Sequence, residues 1–140
     1  MNPPKAECLL LTCFDYRLPP LIAAYMARRG LAGRYDHVAL AGAALGVVSD
    51  RYPAWDVTFW QSLELAIQLH GIRRVVVMDH RDCGAYRLLL GEEAVKDPTS
   101  ETLAHTRVLQ TLRQRLEARH GDLELELLLL AMDGTVEPIA

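Results

Sequence analysis

Arg74-Val75-Val76-Val77-Met78, which runs directly into Asp79-His80-Arg81-Asp82-Cys83-Gly84, is the stretch that decides the fold. Its apolar part is β-branched and too short for a helix, the composition of a strand buried on both faces. Two other runs share that character. One is Cys8-Leu9-Leu10-Leu11-Thr12-Cys13; the other is His37-Val38-Ala39-Leu40-Ala41, which ends in the small-residue turn Gly42–Gly46. A fourth strand is expected over Leu123–Met132, where leucines are interrupted by Glu124 and Glu126 before the turn Asp133-Gly134.

Helical segments lie between these runs. Leu21–Arg29 follows Pro19 and Pro20, residues suited to a first helical turn, and stops at Gly30. Asp56–His70 places apolar residues at Val57, Trp60, Leu63 and Ile67 and again at Phe59, Leu65 and Leu69, a broad stripe closed by Gly71. Thr102–His120 forms a long amphipathic helix closed by Gly121, and Gly91–Ser100 is a polar connection. The alternation of strand and helix predicts an α/β fold, a parallel sheet wrapped by helices with right-handed crossovers. Residues 1–140 are expected to form one domain.

Composition narrows the function classes. Hydrophobic residues make up 51% and charged residues 24%, which is globular composition. The net charge is −3 with no block of like charges, so nothing supports a basic nucleic-acid interface. No apolar run, Leu127–Met132 included, approaches the ~20 residues of a membrane span. Met1-Asn2-Pro3-Pro4-Lys5 has no apolar signal region, and the three cysteines show no disulfide-framework spacing. A cytoplasmic protein with reduced thiols is expected. There is no P-loop, no GxGxxG and no GxSxG.

In a parallel sheet, ligands bind beyond the carboxyl ends of the strands. Cys13 and His80 each stand at such an end, and Cys83 follows His80 by three residues. Two thiols and one imidazole are donors that suit Zn²⁺. Three protein ligands without a fourth are the pattern of a catalytic rather than a structural zinc. Gly84 lets the backbone leave the His80–Cys83 turn close to the metal without a Cβ. Asp15 and Arg17, two apart on an extended segment, can form a bidentate pair. Paired, Asp15 stays ionised and accepts a hydrogen bond from water on the metal; released, it could swing onto the metal and close the site. A pair that only caps the following helix is the other possibility. Asp79 is either a strand-end hydrogen-bonding residue or a partner that orients His80.

Cys13-Phe14-Asp15-Tyr16-Arg17 together with His80-Arg81-Asp82-Cys83-Gly84 resembles the β-class carbonic anhydrases, most of all their small archaeal and bacterial branch. The likeness extends to Ser62–Ala66, Leu69–Ile72 and Ala131–Gly134, nearly the whole chain. It implies four parallel strands in the order 2-1-3-4, a fifth strand at one edge, and helices on both faces. It also implies Cys13, His80 and Cys83 as zinc ligands, Asp15 and Arg17 as the catalytic dyad, and reversible hydration of carbon dioxide to bicarbonate, a lyase reaction. Two departures stand out. Ala39-Leu40-Ala41-Gly42 replaces the family's usual Arg-Asn-Ala-Gly, and Asp79 replaces the usual Gly before the histidine. The loss of two polar groups favours a related substrate, carbon disulfide or carbonyl sulfide; a non-catalytic zinc-binding member of the family is a third reading.

The resemblance further implies a homodimer or higher homo-oligomer. Trp55, Phe59 and Trp60 crowd one helix more densely than a single core face needs, which points to a homodimer built around that helix with the site near the interface. A broad helix buried within its own subunit is the alternative. Other histidines and cysteines are assigned bland roles. Cys8 is core; His37, His70 and His120 lie at element ends. His105 follows Glu101 by four, a spacing that can bind metal, but a solvated helix face is expected there.

Overall fold

The computed structural model describes residues 5–140. Five strands form one sheet: β1 (Cys8–Thr12), β2 (Tyr35–Ala39), β3 (Arg74–His80), β4 (Glu124–Leu130) and β5 (Val136–Pro138), in the order β2-β1-β3-β4-β5. The first four pair in parallel and β5 closes the edge antiparallel to β4. The expected four-stranded parallel sheet with a fifth edge strand is therefore present. All five residues of β1 and the last six of β3 are buried. Because successive side chains point to opposite faces, the sheet is covered on both sides.

The helices are α1 (Pro19–Arg28), α2 (Ala44–Val48), α3 (Pro53–His70), α4 (Gly84–Leu90) and α5 (Pro98–Arg119), with a 3₁₀ turn at Glu92–Val95. Several differ from expectation. The turn after β2 contains α2, and the His80–Cys83 turn is followed by α4; both are too short for periodicity to reveal. The polar connection Gly91–Ser100 contains the 3₁₀ turn and the start of α5. That helix begins four residues early because Asp97 caps it, accepting from the Ser100 amide at 2.7 Å, with Pro98 in the first turn.

The aromatics of α3 also depart from expectation. Phe59 and Trp60 are 0% and 4% exposed within the single chain, so the core absorbs them. Trp60 is covered further by the Arg119 guanidinium, 4.2 Å from its ring centroid. These two side chains are spent on the chain's own core, as in the alternative of a helix buried within its own subunit. Trp55 instead stacks on Tyr52, ring centroids 4.1 Å apart. Among the described residues no helix is long and apolar enough to cross a membrane.

Candidate metal centre

Parallel registry sets the site. Thr12 of β1 pairs with Met78 of β3, so Cys13, just past β1, and His80, the last residue of β3, emerge at the same end of adjacent strands. Cys83 returns through a turn whose third residue, Asp82, takes a left-handed backbone (φ 56). The ligating atoms of Cys13, His80 and Cys83 all lie within 4.8 Å of one another, and all three residues are buried.

The state of these atoms fits a soft divalent metal. His80 Nδ1 faces the Arg81 carbonyl at 2.7 Å, which fixes its proton there and leaves Nε2 with the lone pair. Nε2 is buried and makes no hydrogen bond. The adjacent Cys83, against the opposing effect of burial and with help from His80 and the Gly42 amide, draws the Cys13 thiol down to about 4. The Gly42 N–H donates to its sulfur at 3.3 Å. The hydrogen bond with Cys13 and burial push the Cys83 thiol up. A divalent cation between the two sulfurs would take the place of thiol protons.

Asp15 and Arg17 form the bidentate pair: Nε donates to Oδ1 at 3.1 Å and Nη2 to Oδ2 at 2.8 Å. The Arg17 amide adds a third bond to Oδ1 at 2.8 Å. These contacts hold the Asp15 carboxyl at about 2, below the usual carboxylate range. Arg17 does more than the sequence implied. Its Nη1 donates to Asp82 Oδ2 at 2.9 Å and its Nη2 to the Asp82 carbonyl at 3.0 Å. One guanidinium therefore ties the Cys13 segment to the His80–Cys83 turn. The far side of that turn is held by Glu101, which accepts from the Asp82 amide at 2.7 Å and from Arg81 at 3.0 Å.

Of the two readings of Asp79, hydrogen bonding at the strand end is the one seen, and the solvated face expected for α5 is not. Asp79 does not orient His80; the Arg81 carbonyl does that, and strand alternation sends the Asp79 carboxylate elsewhere, to Ala44, Tyr86 and His105. Nor is the α5 face solvated: His105 is 0% exposed and the Glu101 side chain 12%. The i,i+4 spacing of Glu101 and His105 serves hydrogen bonds to the site's turn and to Asp79. The sequence reading of Gly84 is room for a metal and not for protein. A Cβ at Gly84 would meet no atom within 4 Å, so no neighbouring protein atom demands glycine there. Asp82, Glu101, Arg81 and Tyr86 were not singled out from the sequence; only the quoted motif containing Asp82 and the Glu101–His105 spacing hinted at them.

A cavity of about 560 Å³ opens beside the triangle, lined by Cys13, Asp15 and Gly84 and otherwise by Phe14, Ala39, Leu40, Ala41, Tyr52, Trp55, Ala85, Leu88 and Leu89. Asp15 is its one carboxylate. Ala39 and Leu40, the positions where polar residues were missing from the motif, form part of this wall. The arrangement suits a small, uncharged molecule held beside the Cys13–His80–Cys83 triangle.

Comparison with known proteins agrees with this geometry. A family model described as "Putative carbonic anhydrase" matches residues 4–137. The protein RC0076 of Rickettsia conorii is 36% identical over 135 residues, 96% of this chain and 73% of that protein. The carbonic anhydrase of Streptococcus mutans superposes with a TM-score of 0.65 at 22% identity, over 98% of this chain and 83% of that one. A carbon disulfide hydrolase superposes with a TM-score of 0.60 at 15% identity, over 98% of this chain and 80% of that one. With a buried Cys-His-Cys triangle at the carboxyl ends of β1 and β3 and a family match over almost its full length, the chain belongs to the β-carbonic anhydrase family.

Proposed function

We propose that the chain is a zinc-dependent carbonic anhydrase that hydrates carbon dioxide reversibly to bicarbonate and a proton. The observation that carries this reading is the Asp15–Arg17 pair lodged on the wall of an apolar cavity beside the Cys13–His80–Cys83 triangle. Cys13, His80 and Cys83 would hold the ion. Zinc supplies Lewis acidity that lets a water ionise near neutral pH. Asp15, acceptor-only and fixed by Arg17, would accept a hydrogen bond from a water at the Cys13 end of the cavity and so orient it toward the substrate. The apolar walls admit an uncharged gas and limit competing water. Stopped-flow hydration assays on zinc-loaded protein test the activity, and a rate no higher than buffer at about pH 8.5 sinks it.

One observation favours a second substrate. The wall formed by Ala39 and Leu40 offers no polar side chain, which suits carbon disulfide or carbonyl sulfide, and a carbon disulfide hydrolase shares the fold. Sulfide release with negligible hydration of carbon dioxide decides for this substrate. Exposed Phe14 and Leu88 on the cavity wall, 70% and 75% accessible, fit burial against a second copy in a homodimer. Three free, buried cysteines accord with a reducing cytoplasm.

A further inference from the structure

The triangle uses one side of β3; the residue before His80 builds something on the other. Asp79, Tyr86 and His105 are each 0% exposed. Asp79 Oδ2 accepts from the Tyr86 hydroxyl and from His105 Nδ1, the latter at 2.7 Å, while Oδ1 accepts from the Ala44 amide at 3.2 Å. The Tyr86 and His105 rings lie against each other, centroids 3.8 Å apart. A buried carboxylate persists only where donors meet it, and here three do. Yet His105 Nε2 is left with no partner, a penalty that an apolar side chain would not carry. Packing alone does not account for the cluster.

Each donor belongs to a segment that shapes the metal centre. Tyr86 lies three residues after Cys83, in the first turn of α4. Ala44 opens α2 directly after Ala43, whose left-handed backbone (φ 48) is strained for a residue with a Cβ. Two residues before Ala44, the Gly42 amide donates to Cys13 Sγ. The two segments press together, since a Cβ at Gly42 would stand 3.3 Å from the Ala85 Cβ. His105 roots the carboxylate in α5, one turn after Glu101, which fastens the Asp82 amide. The Asp79 carboxylate is thus the one group bonded both to the strained turn behind Cys13 and to the helix that starts behind Cys83.

We infer that Asp79, acting through Tyr86, His105 and the Ala44 amide, is the positioning residue of the metal centre: it fixes the Gly42–Ala44 turn against the start of α4 and so sets the separation of the Cys13 and Cys83 sulfurs. The inference rests on the reading of the triangle as a metal site. It differs from orientation of His80, which the Arg81 carbonyl performs.

The test compares the unaltered chain with Asp79→Asn, Tyr86→Phe, His105→Leu and His105→Asn. Zinc affinity is read by competition with a chelating dye, and site geometry by the visible spectrum of the cobalt-loaded protein. Asp79→Asn, Tyr86→Phe and His105→Leu are expected to weaken zinc by roughly 10- to 100-fold and to change the cobalt spectrum, as loss of a group supporting a ligand does. His105→Asn, whose amide can donate near the position of Nδ1, is expected to restore most of the affinity. If Asp79→Asn does not fold, Tyr86→Phe, which deletes one oxygen, decides alone. Folded variants that bind zinc as tightly as the unaltered chain, with the same cobalt spectrum and only a lower melting temperature, overturn the positioning role. An unaltered chain that binds no zinc overturns the metal reading itself, a different failure.

Discussion

Arg17 and Asp82, 65 residues apart in sequence, meet at 2.9 Å, and the same guanidinium grips Asp15 at 2.8 Å. One planar fork therefore joins the two motifs that carry the site. Lysine cannot reproduce this, because an ammonium is a point charge without the fork geometry. Arg17→Lys is expected to lower kcat/KM by roughly 100-fold, the scale of a misplaced catalytic group. Stability should barely respond, since partly exposed ion pairs contribute about 0–1 kcal/mol. Asp82→Ala should lose less activity, because the Asp82 carbonyl still accepts from Nη2. Thermal melts beside steady-state kinetics separate the two effects; a large loss of stability with unchanged kcat/KM contradicts this role for Arg17.

Acidity gives a second expectation. Arg17 holds the Asp15 carboxyl at about 2, so the folded value lies below the unfolded one. The stability this contributes is fully present above the ordinary aspartate value near ~3.9 and is lost as pH falls through the folded value. Asp15→Asn should therefore lie below the unaltered protein by a constant margin from about pH 5 to 8, a margin that narrows only below about pH 4. Urea unfolding across that range reads the margin. Any inflection in activity near neutrality must then belong to a group other than Asp15, and a pH–rate inflection that vanishes in Asp15→Asn contradicts this.

How much of this was legible beforehand depends on the range of each interaction. The runs Cys8–Cys13 and Arg74–Met78 announce themselves because a strand buried on both faces needs every residue apolar, and the ligand positions follow from where those strands stop. Local bidentate geometry likewise made Asp15–Arg17 visible. Asp79 was ambiguous, because its three partners come from α2, α4 and α5, the last 26 residues away, and no periodicity encodes such a meeting. The polar face of α5 looked solvated for the same reason. Glu101 and His105 are polar, and only the packed turn carrying Asp82 shows that this face points inward. Where Trp60 goes was hidden for a like reason: the Arg119 guanidinium lies over its ring within the chain, from the far end of α5, a cover no local pattern announces.

Removing a ligand should remove the metal. Cys13→Ser, His80→Ala and Cys83→Ser are each expected to reduce bound zinc, measured by elemental analysis, from one ion per chain to a small fraction. Adding zinc to the unaltered apoprotein should raise its unfolding free energy by about 2.7 kcal/mol at a free concentration one hundred times the Kd. Zinc should leave the melting temperature of Cys83→Ser unchanged at the same concentration. Retention of a full equivalent by Cys13→Ser rules out the triangle as the site.

Gly46 tests the packing behind the cavity. A Cβ there would collide with the Ala41 carbonyl oxygen and press Trp55 at 3.2 Å, both in segments that line the cavity. The obstacle is backbone, which gives way less readily than the end of a side chain. Gly46→Ala is expected to destabilise by about 1–3 kcal/mol, the range for overpacking, with a lower denaturation midpoint and unchanged m-value. A midpoint equal to that of the unaltered chain contradicts the close approach.

The cavity wall offers the sharpest test of substrate. Ala39 and Leu40 carry only apolar side chains, on the wall of a cavity whose one carboxylate is Asp15. Addition of hydroxide to carbon dioxide, carbon disulfide or carbonyl sulfide gives an anion in each case. Charge developing on oxygen accepts hydrogen bonds more strongly than charge developing on sulfur, so a wall without side-chain donors penalises carbon dioxide most. Leu40→Asn adds an amide donor to the wall without adding charge. It is expected to raise the ratio of carbon dioxide hydration to carbon disulfide hydrolysis by roughly 10-fold or more, the size of one hydrogen bond to a charged group, about 1.5–3 kcal/mol. Zinc content should stay the same, because residue 40 is not among the ligands. Paired assays of both gases on the two proteins measure the ratio, and an unchanged ratio shows that the apolar wall does not select the substrate.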